Sequence, residues 1–254
     1  MDPKPGFHNR GHHITSKIRS LLISLTSEPS EYDNITPKIE FWIDYVLREQ
    51  FVTVDELVEG VSLVAWDQGG SYASVGRFLK GFHDAPHRSE QARSFVDKLC
   101  EYVLRWFAIA AADDLLSGWG NSVASNSGWG GFVRAASFVG HLIECGVLGH
   151  DLVRRHLVKP LITHHHTDPN GAKSTRASAI YQLFAAAGNT LLHGLLEPED
   201  VQACFEILNA HISLGGIAGL DAGKLQVRYA TNSNVSDWNS ACSARNFARS
   251  MLHG

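Results

Sequence analysis

Cys-x-x-Cys pairs, runs of strict apolar alternation and a basic excess are all missing from this sequence. Cys100, Cys145, Cys204 and Cys242 are widely spaced with no Cys-x-x-Cys among them. That excludes a zinc knuckle and a dense disulfide framework, and predicts reduced thiols in an intracellular protein. Residues 1–13 hold Pro3, Pro5, Gly6 and Gly11 with several histidines and no apolar block of signal-peptide type. They are expected to form a flexible N-terminal segment of a cytoplasmic protein. The 22 Lys and Arg are outnumbered by 26 Asp and Glu, a formal charge of −4. No overall field therefore draws the chain to nucleic acid or an anionic membrane, and any basic surface must be local. Residues 177–196 are the longest stretch without Asp, Glu, Lys or Arg, but Ser178, Gln182, Gly188, Asn189, Thr190, His193 and Gly194 interrupt it. A buried helix with a turn is expected there, not a membrane span.

What is present is helical periodicity. With 254 residues, 44% of them hydrophobic and 19% charged, the chain has ample material for a core. Apolar residues recur at helical spacing almost throughout. A first helix is expected over residues 14–25, and a second over 37–49 with Thr36 as N-cap and Pro37 at the first helical position. Thr53-Val54-Asp55-Glu56 reads as a capping box opening a third, which stops before Gly69-Gly70. A fourth covers about residues 71–82. Ser89 caps a long fifth helix whose stripe includes Ala92, Phe95, Val96, Leu99, Val103, Leu104 and Phe107. Residues 117–131, rich in Gly, Ser and Asn, are expected to be a loop. Phe132, Ala136, Val139, Leu142 and Ile143 restore the helix until Cys145-Gly146, and another is expected over 150–162. After a polar loop at 164–173 comes a helix with Ile180, Leu183, Phe184 and Ala187, and Pro198-Glu199-Asp200 starts the next. Further helices are expected over 222–229 and 239–252.

These elements predict an all-α fold, an α-α superhelix or solenoid of about five antiparallel helix hairpins of HEAT/ARM type, because no hairpin buries its apolar stripe alone. The pair spacing of roughly 35 to 50 residues falls among HEAT-like arrays. An irregular bundle is the alternative. The expected organisation is one helical-repeat domain over 14–254, with a first half at 14–116, the loop at 117–131 and a second half at 132–254.

Two segments of the second half resemble the middle domain of eukaryotic translation initiation factor 4G. One spans 132–162 and carries Phe138-Val139-Gly140-His141-Leu142-Ile143, then the turn Gly146-Val147-Leu148-Gly149. The other spans 176–194 and carries Leu183-Phe184 and Gly188. Gly140 and Gly188 are expected to let neighbouring helices approach closely, a reason to keep Gly in a helix despite about 1 kcal/mol of lost propensity. The resemblance implies a HEAT-type scaffold in mRNA translation or metabolism that binds other proteins, often a DEAD-box RNA helicase, and sometimes RNA. A lineage-specific interaction module of the same fold without an RNA role is the alternative.

The best local basic patch is Arg154, Arg155, Lys159, Lys173 and Arg176, set against Asp168 alone. These residues are the candidate contacts for RNA phosphates or an acidic partner, with a solvated helix face as the plain alternative. Arg77, Lys80, His83, His87, Arg88 and Arg93 form a weaker group. His164-His165-His166 with Asp168 invites a metal, but consecutive residues seldom converge on one ion, so no metal site is expected. Asp113-Asp114 resembles half of the aspartate-rich element of magnesium-dependent terpene synthases, and the rest of that constellation is missing. No Gly-x-Ser-x-Gly elbow, Walker loop, dinucleotide fingerprint or His-Glu-x-x-His occurs. The chain is read as non-catalytic and without a cofactor. Trp119 and Trp129 flank the glycine-rich loop as anchors or as plugs, and Trp42, Trp66 and Trp106 are assigned to the core.

Overall fold

The structure is a computed structural model describing residues 5–65, 72–112, 128–148, 153, 158–163, 170–187, 190 and 198–213. Every regular element among the described residues is helical. They are α1 (Pro5–Ser27), a 3-10 turn (Pro29–Glu31), α2 (Tyr32–Arg48), α3 (Val54–Ser62), a second 3-10 turn (Leu63–Ala65), α4 (Ala73–Asp84), α5 (Glu90–Ala112), α6 (Gly128–Glu144), α7 (Lys159–Thr163), α8 (Asn170–Ala187) and α9 (Pro198–Ser213). No described helix is long and apolar enough to cross a membrane. The expected helices over 222–229 and 239–252 lie outside the described residues.

Local chemistry explains several of the helix ends. The Thr53 hydroxyl accepts from the Glu56 N–H at 3.2 Å and the Glu56 carboxylate accepts from the Thr53 N–H at 2.7 Å, the reciprocal box expected. Ser89 Oγ accepts from the Ala92 N–H at 3.2 Å, which caps α5. At the end of α6 the Gly146 N–H bonds the Ile143 carbonyl and the Val147 N–H bonds the Leu142 carbonyl, both at 2.9 Å. That double bond pattern needs a left-handed residue, and Gly146 supplies it at φ +70°.

Four helix starts differ from expectation. Helix α1 begins at Pro5 instead of residue 14, so most of the expected flexible segment is helical. Helix α2 begins at Tyr32, which puts Pro37 inside it. Thr36 is no cap: its hydroxyl donates to the Tyr32 carbonyl at 2.9 Å. The 3-10 turn hands the chain straight into the helix, and the added first turn buries Ile35 on the same face as Ile39 and Ile43. That burial outweighs the one backbone hydrogen bond that Pro37 removes. Helices α6 and α8 each start early, at Gly128 and Asn170, taking in the ends of the two polar segments read as loops.

Successive and alternate helices pack on one another, and α1 also meets α4 and α2 meets α5. Helix α1 lies on α2 and α3, α3 on α5, α4 on α6, and α6 on α8. A single hydrophobic cluster runs from Ile14 to Leu208. At Gly140 α6 comes close to α8: a Cβ there would stand 2.7 Å from the Ala186 Cβ and 2.8 Å from the Leu183 carbonyl oxygen. The close approach expected of Gly140 is present, while Gly188 lies outside the described residues.

Candidate functional site

Of the expected basic patch, the two side chains that are described, Lys159 and Arg176, do not share one surface. Lys159 opens α7 and is exposed. Lys173 lies within α8. Arg176 is only 1% exposed and ranks among the largest fully buried side chains, so it is not presented to an outside partner. Its register is the reason: Arg176, Ile180, Leu183 and Ala187 are spaced four, three and four residues apart, which places them on one helix face. That face is the core. Arg154 and Arg155 lie outside the described residues, as do Asp113, Asp114, Trp66, Trp119 and the 164–168 histidine tract.

In the second basic group Arg88, Lys80 and His83 face acids, while Arg93 and Arg77 meet a carbonyl and a ring. Arg88, with a side chain 6% exposed, bridges Glu40 and Asp44 of α2. Its guanidinium carbon also stands 4.4 Å from the Phe82 ring centroid. Lys80 Nζ lies 2.9 Å from Asp84. His83 sits between Asp84 at 3.0 Å and Asp97 at 3.3 Å. The hydrogen bonds of His83, then of Lys80, hold the Asp84 carboxyl below its usual range. Arg93 donates to the Pro86 carbonyl at 3.3 Å, and Arg77 stands over the Tyr32 ring at 5.2 Å. These cations bind α2, α4 and α5 to one another and do not form a bare phosphate-binding field.

The described thiols are unpaired, and burial makes them poor nucleophiles. It pushes Cys100 up to about 12 and Cys204 higher still. Cys145, half-buried, is raised by burial and then by the neighbouring Glu144 carboxylate. Among the described residues no cluster of His, Cys, Asp and Glu is placed to hold a metal ion.

Two aromatic surfaces were not legible as such in the sequence. On α5, Trp106 is 38% exposed instead of core, with the Tyr102 ring at 6.2 Å. On α2, Phe41 is 57% exposed and stacks in parallel on Tyr45, centroids 5.9 Å apart and planes 5° apart. Trp42, half-buried, meets both edge-on at 5.1 and 5.8 Å. Phe51 extends the row 5.5 Å beyond Tyr45. The ammonium of Lys17 in α1 stands 4.2 Å from the Trp42 ring centroid. Register carried the signal: once Ile35, Ile39, Ile43 and Val46 define the core face of α2, Phe41 and Tyr45 fall outside it.

No protein-family model, no curated protein and no solved structure matches this chain.

Proposed function

We propose that this chain is a non-catalytic helical scaffold of HEAT-like type that binds a protein partner in mRNA translation or mRNA metabolism. The solenoid reading is supported by the packing of alternate helices, α1 on α3 on α5 and α4 on α6 on α8, the order in which stacked hairpins form two layers.

The observation that carries partner binding is Trp106. The indole is held on a long helix whose next residue, Phe107, is fully buried, so its position is fixed from below. Tyr102 and the exposed Arg105 lie within one turn of it. Trp, Tyr and Arg dominate the energetics of protein interfaces because each brings a large contact area and a polar handle. The DEAD-box RNA helicase as partner class, and the mRNA setting, rest on the resemblance carried by Phe138-Val139-Gly140-His141-Leu142-Ile143 and Leu183-Phe184.

Affinity capture of the whole chain from lysate, with and without nuclease, tests this reading. The expected result is an RNA helicase retained after nuclease and lost when Trp106→Ala is the bait. Capture of a protein with no tie to RNA would leave the scaffold and remove the mRNA setting. Equal capture by the wild type and Trp106→Ala would remove the site.

A further inference from the structure

Helix α1 carries charge of one sign only. Over 23 residues it carries Arg10, Lys17 and Arg19 together with His8, His12 and His13, and no Asp or Glu, in a chain whose formal charge is −4. It packs against α2, whose outer flank is the aromatic row. At 100° per residue, Lys38, Phe41, Trp42 and Tyr45 fall on one side of α2. Lys38 and Lys17 are both exposed. The row continues toward the start of α1, because a Cβ on Gly11 would stand 2.7 Å from the Phe51 carbonyl oxygen, and Arg10 is exposed beside it.

The acids of α2 are turned away from this side. Asp33, Glu40 and Asp44 share the other flank by the same register, and Arg88 binds Glu40 and Asp44 there. Glu49, just past the end of the helix, falls on the aromatic side by this register and is paired with Arg48 at 3.2 Å. The exposed Phe41 ring, with half-buried Tyr45 and Trp42 beside it, is thus bordered by Lys17, Lys38 and Arg10.

Aromatic faces beside a line of cations form the arrangement that holds a single nucleic-acid strand: bases stack on the rings whatever their identity, and the cations track the phosphates. We propose that the α1–α2 face binds a single-stranded polynucleotide, with bases on Phe41 and Tyr45 and phosphates at Lys17, Lys38 and Arg10. A duplex hides its base faces and gains nothing from the rings. This site is separate from the Tyr102–Trp106 surface, and the proposal does not rest on the protein-partner reading.

Fluorescence anisotropy of the whole chain with labelled 15-nucleotide oligouridylate, oligothymidylate, a 15-base-pair RNA duplex and phosphatidylserine vesicles tests it. Oligouridylate binds, and neutralising about three phosphates weakens it about 20-fold between 50 and 200 mM salt. Phe41→Ala lowers affinity about tenfold while Phe41→Trp keeps it. The pair Lys17→Gln and Lys38→Gln lowers affinity and reduces the log–log salt slope by about 1.4. Thermal melts of the variants match the wild type because all three side chains are exposed. Preference for oligouridylate over oligothymidylate assigns RNA, and equal binding assigns the chemistry the two strands share; either supports the platform. The proposal falls if no oligonucleotide binds at 50 mM salt. It also falls if the duplex or the vesicles bind as tightly as the strand, or if Phe41→Ala and the lysine pair leave binding unchanged.

Discussion

Phe107 of α5 and Phe132 of α6 stack face to face, ring centroids 4.6 Å apart and planes 15° apart, across the glycine-rich stretch that separates their helices in sequence. Both rings are buried, so this contact helps to hold the two sides of that stretch in one core. Phe132→Ala removes a buried ring and leaves a cavity that helices anchored at both ends fill only in part. The expected loss is about 4 kcal/mol in urea unfolding. Phe132→Leu should lose much less. Similar midpoints for Phe132→Ala and the wild type would contradict the contact.

Arg88 ties Glu40 and Asp44 to the chain leading into α5, 44 residues downstream of Asp44. Arg88→Ala removes a nearly buried cation and leaves two carboxylates facing each other, although both keep some water. The expected loss is about 2 kcal/mol, below that for a fully buried pair. Arg88→Lys should not restore it, since an ammonium lacks the planar fork that serves two carboxylates at once. A double-mutant cycle of Arg88→Ala with Asp44→Ala measures the coupling.

Gly140→Ala should destabilise the protein even though Ala is the better helix former. The added methyl meets Ala186 and the Leu183 carbonyl oxygen below contact distance, and separating α6 from α8 costs about 1 to 3 kcal/mol. The helix-propensity gain of about 1 kcal/mol offsets only part of this. Ala186→Gly removes only one of the two close contacts, so a smaller loss from Gly140→Ala in the Ala186→Gly background than in the wild type would identify the clash as the cause.

Helices α2 and α6 end in the same double hydrogen-bond pattern, but α2 places Gln50 at φ +54° where α6 has Gly146. Gln50→Gly should therefore stabilise by about 0.5 kcal/mol, and Gly146→Ala should destabilise by about 1 kcal/mol. Thermal melts of the two variants should move in opposite directions.

Burial keeps the proton on Cys100 in the folded state, at a pKa of about 12 against an ordinary thiol value of 9.0. A folded value above the unfolded one gives stability that is complete below pH 9 and declines as pH climbs toward 12. Urea midpoints should fall over that window, and Cys100→Ala should remove part of the slope. Iodoacetamide at pH 8 should label Cys145 before Cys100 or Cys204, because Cys145 alone of these three is only half-buried.

Much of the helical framework was legible because it is written in neighbouring residues. The Thr53 box, the Ser89 cap, the Gly146 stop and the apolar stripe of α5 each depend on side chains three to five positions apart. Pro37 misled for the same local reason: its fit to a first helical turn ignored what Ile35 gains from the turn before it. The candidate site was less legible. Charge counting gathered Arg154, Arg155, Lys159, Lys173 and Arg176 into one patch, but counting carries no direction, and register sends Arg176 inward.

The sequence by itself determined that the described chain is helical, where several of its helices begin and end, and which residues make the core stripes, because capping and amphipathic periodicity act within a few residues. Only the tertiary structure decided which cations are consumed by acids, which arginine is buried, and that Phe41 and Trp106 face outward. Those outcomes depend on which helix covers which face, and contacts such as Arg88 with Asp44 join residues far apart in the chain, beyond the range of any local pattern.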